Sequence, residues 1–155
     1  MKKIWVYVIN ILIPVLTGLF SAVLSGGSDA FQNFNPPPLT PPAVLFPIVW
    51  SILYTLMGIS MALVVTSEGS AEQKGKSIKI YALQLFFNFL WSIIFFRFQA
   101  YLLASVWIVA LLILIALMIK EFYKTSHLAA YLQIPYLIWV TFATYLTIAT
   151  YILSR

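Results

Sequence analysis

The sequence predicts an all-α fold: an integral membrane bundle of five transmembrane helices, in one domain over residues 1–155. Three observations predict it. Hydrophobic residues make up 63% of the chain and charged residues 8%, where soluble domains hold roughly 45–50% and about 25%. So few charges cannot cover a soluble surface. Five charge-free stretches of 17 to 27 residues succeed one another, and a helix needs ~20 apolar residues to cross the hydrocarbon core. None of them alternates apolar and polar residues as a transmembrane strand does.

The spans are predicted at about 4–24, 43–66, 79–97, 99–120 and 128–153. Lys2 and Lys3 precede the first. A signal peptide begins the same way, but the apolar run is long for one and no clean small-residue cleavage site follows. Gly18, Ala22 and Gly26 form a small-xxx-small row, the pattern of close helix packing within a chain or in a dimer. Residues 25–42 form a proline-rich loop. Pro36, Pro37, Pro38, Pro41 and Pro42 preset an extended shape, and the segment is expected to lie as a lid over one end of the bundle. Pro47 falls in the first turn of the second span, where proline costs little. A polar turn from Glu68 to Lys76 precedes the third span. Arg97, Phe98 and Gln99 leave so short a link that spans three and four must form an antiparallel hairpin. Kinks are expected at Pro14 and Pro135, where neighbouring helices can satisfy the freed carbonyls. His127, in the last loop, is expected to be a solvated residue.

Charge gives the orientation. Lys2, Lys3, Lys74, Lys76, Lys79, Lys120 and Lys124 share one side of a five-span chain, while Arg97 and Arg155 lie on the other. The positive-inside rule then places the N-terminus in the cytoplasm and the C-terminus outside; the membrane expected is a bacterial plasma membrane. The net charge of +5 is explained by this asymmetry. No basic stripe suggests a nucleic-acid partner.

Several chemistries are excluded. Without cysteine there are no disulfides, thiol reactions, iron–sulfur clusters or thiolate zinc sites. One histidine and four acids leave little for a metal site, and none is expected. No span holds a carboxylate, lysine or arginine in its interior. That argues against a pump or proton-coupled carrier and removes the usual general acid and base.

Aromatic and amide side chains remain. Trp50 and Tyr54 stand at i,i+4 on span two, with Gly58 a turn further. Gln84, Asn88 and Trp91 share a face of span three, with Tyr81 just before them. Tyr136, Trp139 and Ala143 do so on span five. One reading is packing: amides bond neighbouring helices and tryptophan belongs at the membrane interface. The other is a pocket. Three aromatic faces with two amides line an apolar cavity for a flat ligand that makes a few hydrogen bonds. Leu146, Tyr151 and Arg155 fit the loose cholesterol-contact pattern, which ordinary interface anchors also fit.

Three separated motifs resemble one family. They are Pro37-Pro38-Leu39-Thr40-Pro41-Pro42 with Phe46-Pro47-Ile48-Val49-Trp50 and Leu53-Tyr54; Gln84-Leu85-Phe86-Phe87-Asn88 with Trp91 and Phe95-Phe96; and Pro135-Tyr136-Leu137 with Trp139 and Phe142-Ala143-Thr144. In this order, with five spans, the chain resembles the translocator protein / tryptophan-rich sensory protein family (TspO/MBR, or peripheral benzodiazepine receptor). The resemblance implies five helices, a homodimer, and a cavity opening toward the loop after span one. It implies porphyrins such as protoporphyrin IX and haem as ligands, sterols, and synthetic ligands of the benzodiazepine and isoquinoline classes, with no tightly bound cofactor. Carried over by motif, Trp50, Asn88, Trp91, Trp139 and Ala143 line the pocket. Phe31 takes a ligand-contacting place in the loop, where Ala30-Phe31 replaces the family's Trp-Tyr pair. Pro36 replaces a lysine and Thr147 an asparagine.

Three functions follow from the resemblance. The first is a receptor or sensor that binds porphyrin. The second is a transporter of porphyrins or sterols, for which the sequence offers no inverted repeat. The third is an enzyme that degrades protoporphyrin IX in light. For that activity Trp50 and Trp139 are the candidate catalytic residues, as oxidisable rings beside the ligand.

Overall fold

The structure, a computed structural model, describes residues 2–26 and 36–155. Among these residues it is helical and has no strand. Five helices or helix pairs are long and apolar enough to cross a membrane.

Helix α1, Lys2–Leu24, runs uninterrupted through Pro14. Proline has no N–H, so the carbonyl of Asn10 loses its helical partner. That carbonyl faces α2, Leu45–Val65, at Gly58. A Cβ there would stand 2.6 Å from Asn10 O and 2.3 Å from Ile11 Cα. Proline on one helix and glycine on the other let the two backbones meet. After α1, Gly26 takes φ 115°, a conformation glycine adopts at helix ends without strain.

Helix α3, Ala71–Ser92, begins well before the span expected at 79. Ser70 caps it, accepting a hydrogen bond from the Gln73 N–H at 3.1 Å, and Glu72 occupies the first turn, where an acid suits the helix dipole. Hydropathy marks where hydrocarbon begins; the cap marks where the helix begins. The helix continues through a π turn, Ile93–Arg97, and Gln99, at φ 50°, turns the chain into α4, Tyr101–Tyr123. The short hairpin expected here is present.

The fifth span is two helices, α5, His127–Leu132, and α6, Ile134–Ser154. The interruption expected at Pro135 is present two residues earlier: Pro135 lies in the first turn of α6, and the chain breaks at Gln133. The proline can neither donate to the carbonyl of Tyr131 nor avoid it, so the helix restarts. His127 opens α5 rather than lying in a loop, and its ring stacks on Tyr123 with centroids 4.1 Å apart.

The helices form a closed ring. Helix α1 packs on α2 and α3, α3 on α4, α4 on α5 and α6, and α2 closes the ring against α5. Met57, Ile108, Leu111, Ile115, Met118 and Phe122 are fully buried at its centre. Alternation puts Lys2, the turn around Ser70 and the turn around Ser126 at one end, here the basic end. There Gln73 Nε2 donates to Glu121 Oε2 at 2.7 Å, tying α3 to α4. Ser25, the segment 36–44, Gln99 and Arg155 lie at the other, the loop end. Tyr145 holds that segment by donating its hydroxyl to Pro38 O at 2.7 Å.

Candidate ligand-binding cavity

A cavity of about 600 Å³ opens at the loop end, between α1, α2, the π turn and α6. It forms because α2 meets α5 closely and α6 only slightly, so the ring is loose where α6 diverges.

Each wall follows from local sequence. On α2, Trp50 and Tyr54 are one turn apart and stack, centroids 5.3 Å. Gly18 of α1 makes room for the Tyr54 ring: a Cβ would stand 2.2 Å from it. On α6, Trp139 meets Trp50 edge to face, 6.5 Å and 89°, and meets Phe46 at 5.7 Å. Ala143, a turn further, keeps the space open. On α3, Trp91 stacks on Phe95 at 5.3 Å. The widened π turn lets Phe95 and Phe96, adjacent in sequence, both line the cavity. Single π turns are frequent at functional sites.

Beneath the aromatic walls runs a buried hydrogen-bond chain. The Tyr54 hydroxyl donates to Asn88 Oδ1 at 3.0 Å. Asn88 Nδ2 donates to the Tyr136 hydroxyl at 2.7 Å, which donates to Gln84 Oε1 at 2.7 Å. Three helices are thereby fixed relative to one another, and Tyr54 is held from behind.

The lining is apolar apart from a few hydroxyls and carries no charged residue among those described. Ser21 donates to Phe89 O at 2.8 Å and Thr147 to Ala143 O at 2.7 Å, so these hydroxyls offer acceptor lone pairs to a ligand. The indole N–H groups of Trp91 and Trp139 have no partner among the described residues. An unpaired buried donor costs about 1–3 kcal/mol, which a ligand acceptor can recover. No three of His, Cys, Asp and Glu gather as a metal site among the described residues.

Of the residues expected from sequence, Trp50, Tyr54, Trp91, Trp139 and Ala143 come together on the cavity wall. Gln84, Asn88 and Tyr136 do not line it; their polar atoms bond one another underneath. Phe31 lies outside the described residues. Sequence reasoning missed Phe46, Phe95 and Phe96 as wall residues. It also read Gly18 and Ala22 only as packing, though both line the cavity.

A five-helix membrane bundle with an uncharged aromatic cavity at one end is the class that fold and site define. The TspO/MBR family model matches residues 10–153: the chain belongs to this family and is an integral membrane protein. It is 40% identical over 110 residues to the tryptophan-rich protein TspO of Chlorobaculum tepidum, covering 71% of this chain and 70% of that one. It is 34% identical over 131 residues to the tryptophan-rich sensory protein of Cereibacter sphaeroides, covering 84% and 78%. It is 31% identical over 135 residues to the translocator protein of Sus scrofa, covering 85% and 80%.

Proposed function

We propose that the protein is a membrane receptor and sensor for porphyrins such as protoporphyrin IX and haem, which it holds in the aromatic cavity. The observation that carries this reading is the cavity itself: about 600 Å³, walled by indole and phenyl rings and free of charged residues among those described. Its volume lies within the roughly 300–1,000 Å³ of small-molecule sites. Flat apolar rings gain most from stacking and dispersion against such walls. A relative named a sensory protein supports the sensing role. Sterols and synthetic isoquinoline or benzodiazepine ligands compete for the same walls. The protein acts as a homodimer in a bacterial plasma membrane, with its N-terminus in the cytoplasm, and the proline segment pinned by Tyr145 covers the loop end.

The Trp50–Trp139 pair favours a second activity on the same ligand. Excited porphyrin passes its energy to dioxygen, and two oxidisable indoles in contact stand where reactive oxygen forms. Light-dependent porphyrin degradation then needs no acid or base group.

Absorbance of protoporphyrin IX with the purified protein, in darkness and under illumination, tests both. Binding shifts the porphyrin band in darkness; degradation removes it in light, and only with both tryptophans present. A band unchanged in both conditions contradicts the proposal.

A further inference from the structure

The outer face of the bundle carries a second cavity, a groove of about 610 Å³ between α2 and α6. Val49, Ile52, Leu53, Pro135, Ile138, Trp139 and Phe142 line it, with no charged or hydrogen-bonding side chain except the Trp139 indole. Ile52 and Ile138 are 57% and 65% exposed, on spans that cross the membrane. The medium facing the groove is therefore lipid hydrocarbon. Trp139 is the one residue that lines both this groove and the aromatic cavity, so its indole stands between the two.

Two features make that wall movable. The Trp139 N–H has no hydrogen-bond partner among the described residues, so turning the ring breaks no hydrogen bond. Ring contacts from Phe46, Trp50 and Phe142 hold it. Backbone packing between α2 and α6 is slight, and the break at Gln133 separates the start of α6 from α5. At the loop end, by contrast, the segment 36–44 is bonded to α6.

We infer that the groove is a lateral port. Bilayer acyl chain fills it at rest, and a flat apolar ligand dissolved in the membrane passes from it into the cavity when Trp139 swings aside. The apolar macrocycle of a porphyrin draws it from water into the bilayer, so this route follows the ligand's own partitioning. The inference deepens the porphyrin reading and rests on it for the identity of what passes.

The test uses the full chain in lipid nanodiscs, labelled with fluorotryptophan, with the Trp139 resonance assigned by Trp139→Phe. Lipids carrying a nitroxide midway along an acyl chain should strongly broaden that resonance. Filling the groove with Ile52→Phe and Ile138→Phe together should remove the broadening. It should also slow porphyrin uptake from the bilayer and its release at least fivefold, with equilibrium affinity within twofold of wild type. Each single substitution serves if the double variant misfolds. An unbroadened wild-type resonance overturns the port. So do unchanged rates in a variant that has lost the broadening. If wild-type protein binds no porphyrin, the sensing reading fails instead, and the nitroxide measurement alone decides whether the groove holds acyl chain against Trp139.

Discussion

Asn88 on α3 donates to the Tyr136 hydroxyl on α6 at 2.7 Å while accepting from Tyr54 on α2, so one amide joins three helices under the ligand cavity. Interhelical hydrogen bonds in membranes average about 0.6 kcal/mol and reach ~1.7. Asn88→Ala removes two of them and leaves the Tyr54 hydroxyl unpaired, while Tyr136 keeps its bond to Gln84. We expect a loss of about 1–3 kcal/mol of stability, read as a lower Tm in detergent. Tyr54, no longer held from behind, should also bind ligand less well. An unchanged Tm means that the chain of bonds contributes nothing to the bundle.

The glycines make a graded prediction. At Gly58 a methyl meets the backbone of Ile11 at 2.3 Å, which cannot yield without parting α1 from α2. Gly58→Ala should therefore destabilise strongly. At Gly18 the obstacle is the Tyr54 ring, a side chain that can turn toward the cavity, so Gly18→Ala should lower ligand affinity more than stability. At Gly75 a Cβ meets nothing, and Gly75→Ala should be neutral or stabilise by up to about 1 kcal/mol through helix propensity. Thermal unfolding and porphyrin titration on the three variants check the order.

Trp50→Phe and Trp139→Phe keep an aromatic ring but lose contact area and an oxidisable indole. Each should weaken porphyrin binding by about 1–2 kcal/mol, or roughly five- to thirtyfold. Each should also abolish light-dependent loss of the porphyrin band. Full photochemical activity in both variants would remove the tryptophans from that reaction.

The proline segment is anchored through Tyr145. Tyr145→Phe removes the anchor, and glycine at Pro41 and Pro42 frees the backbone that proline restrains. Both changes should open the loop end and raise the release rate of bound porphyrin while helix content stays constant by circular dichroism. Unchanged release rates contradict the lid.

Orientation is tested by cysteines placed at Leu39, which is 80% exposed at the loop end, and at Glu68, exposed at the basic end. An impermeant thiol reagent added outside the cell should label Leu39→Cys and spare Glu68→Cys. Labelling of both from one side is incompatible with the proposed topology.

The helices were legible in the sequence because a bilayer demands long apolar runs. Trp50, Tyr54, Trp139 and Ala143 were legible because i,i+4 spacing puts them on common faces. What stayed hidden depends on how helices rotate against one another. Gln84, Asn88 and Tyr136 sit on the expected faces, but only packing reveals that they bond one another beneath the rings that wall the cavity. Phe95 and Phe96 escaped because helical periodicity assumes 3.6 residues per turn, and the chain widens into a π turn there. The early start of α3 escaped because its first two turns stand outside the apolar stretch. Pro135 marked the place of the break at Gln133 but not that the helix would restart.

The cavity bounded by Trp50, Trp139 and Ala143 is the proposed porphyrin site. Its most direct test is equilibrium titration of protoporphyrin IX, in darkness, into wild-type protein and Ala143→Leu. Leucine adds bulk to a wall without touching the buried hydrogen-bond chain. Saturable binding by wild type, at least tenfold weaker in Ala143→Leu at equal helix content and Tm, is the predicted result. Equal affinity in the two proteins would contradict it and move the ligand to another part of the molecule.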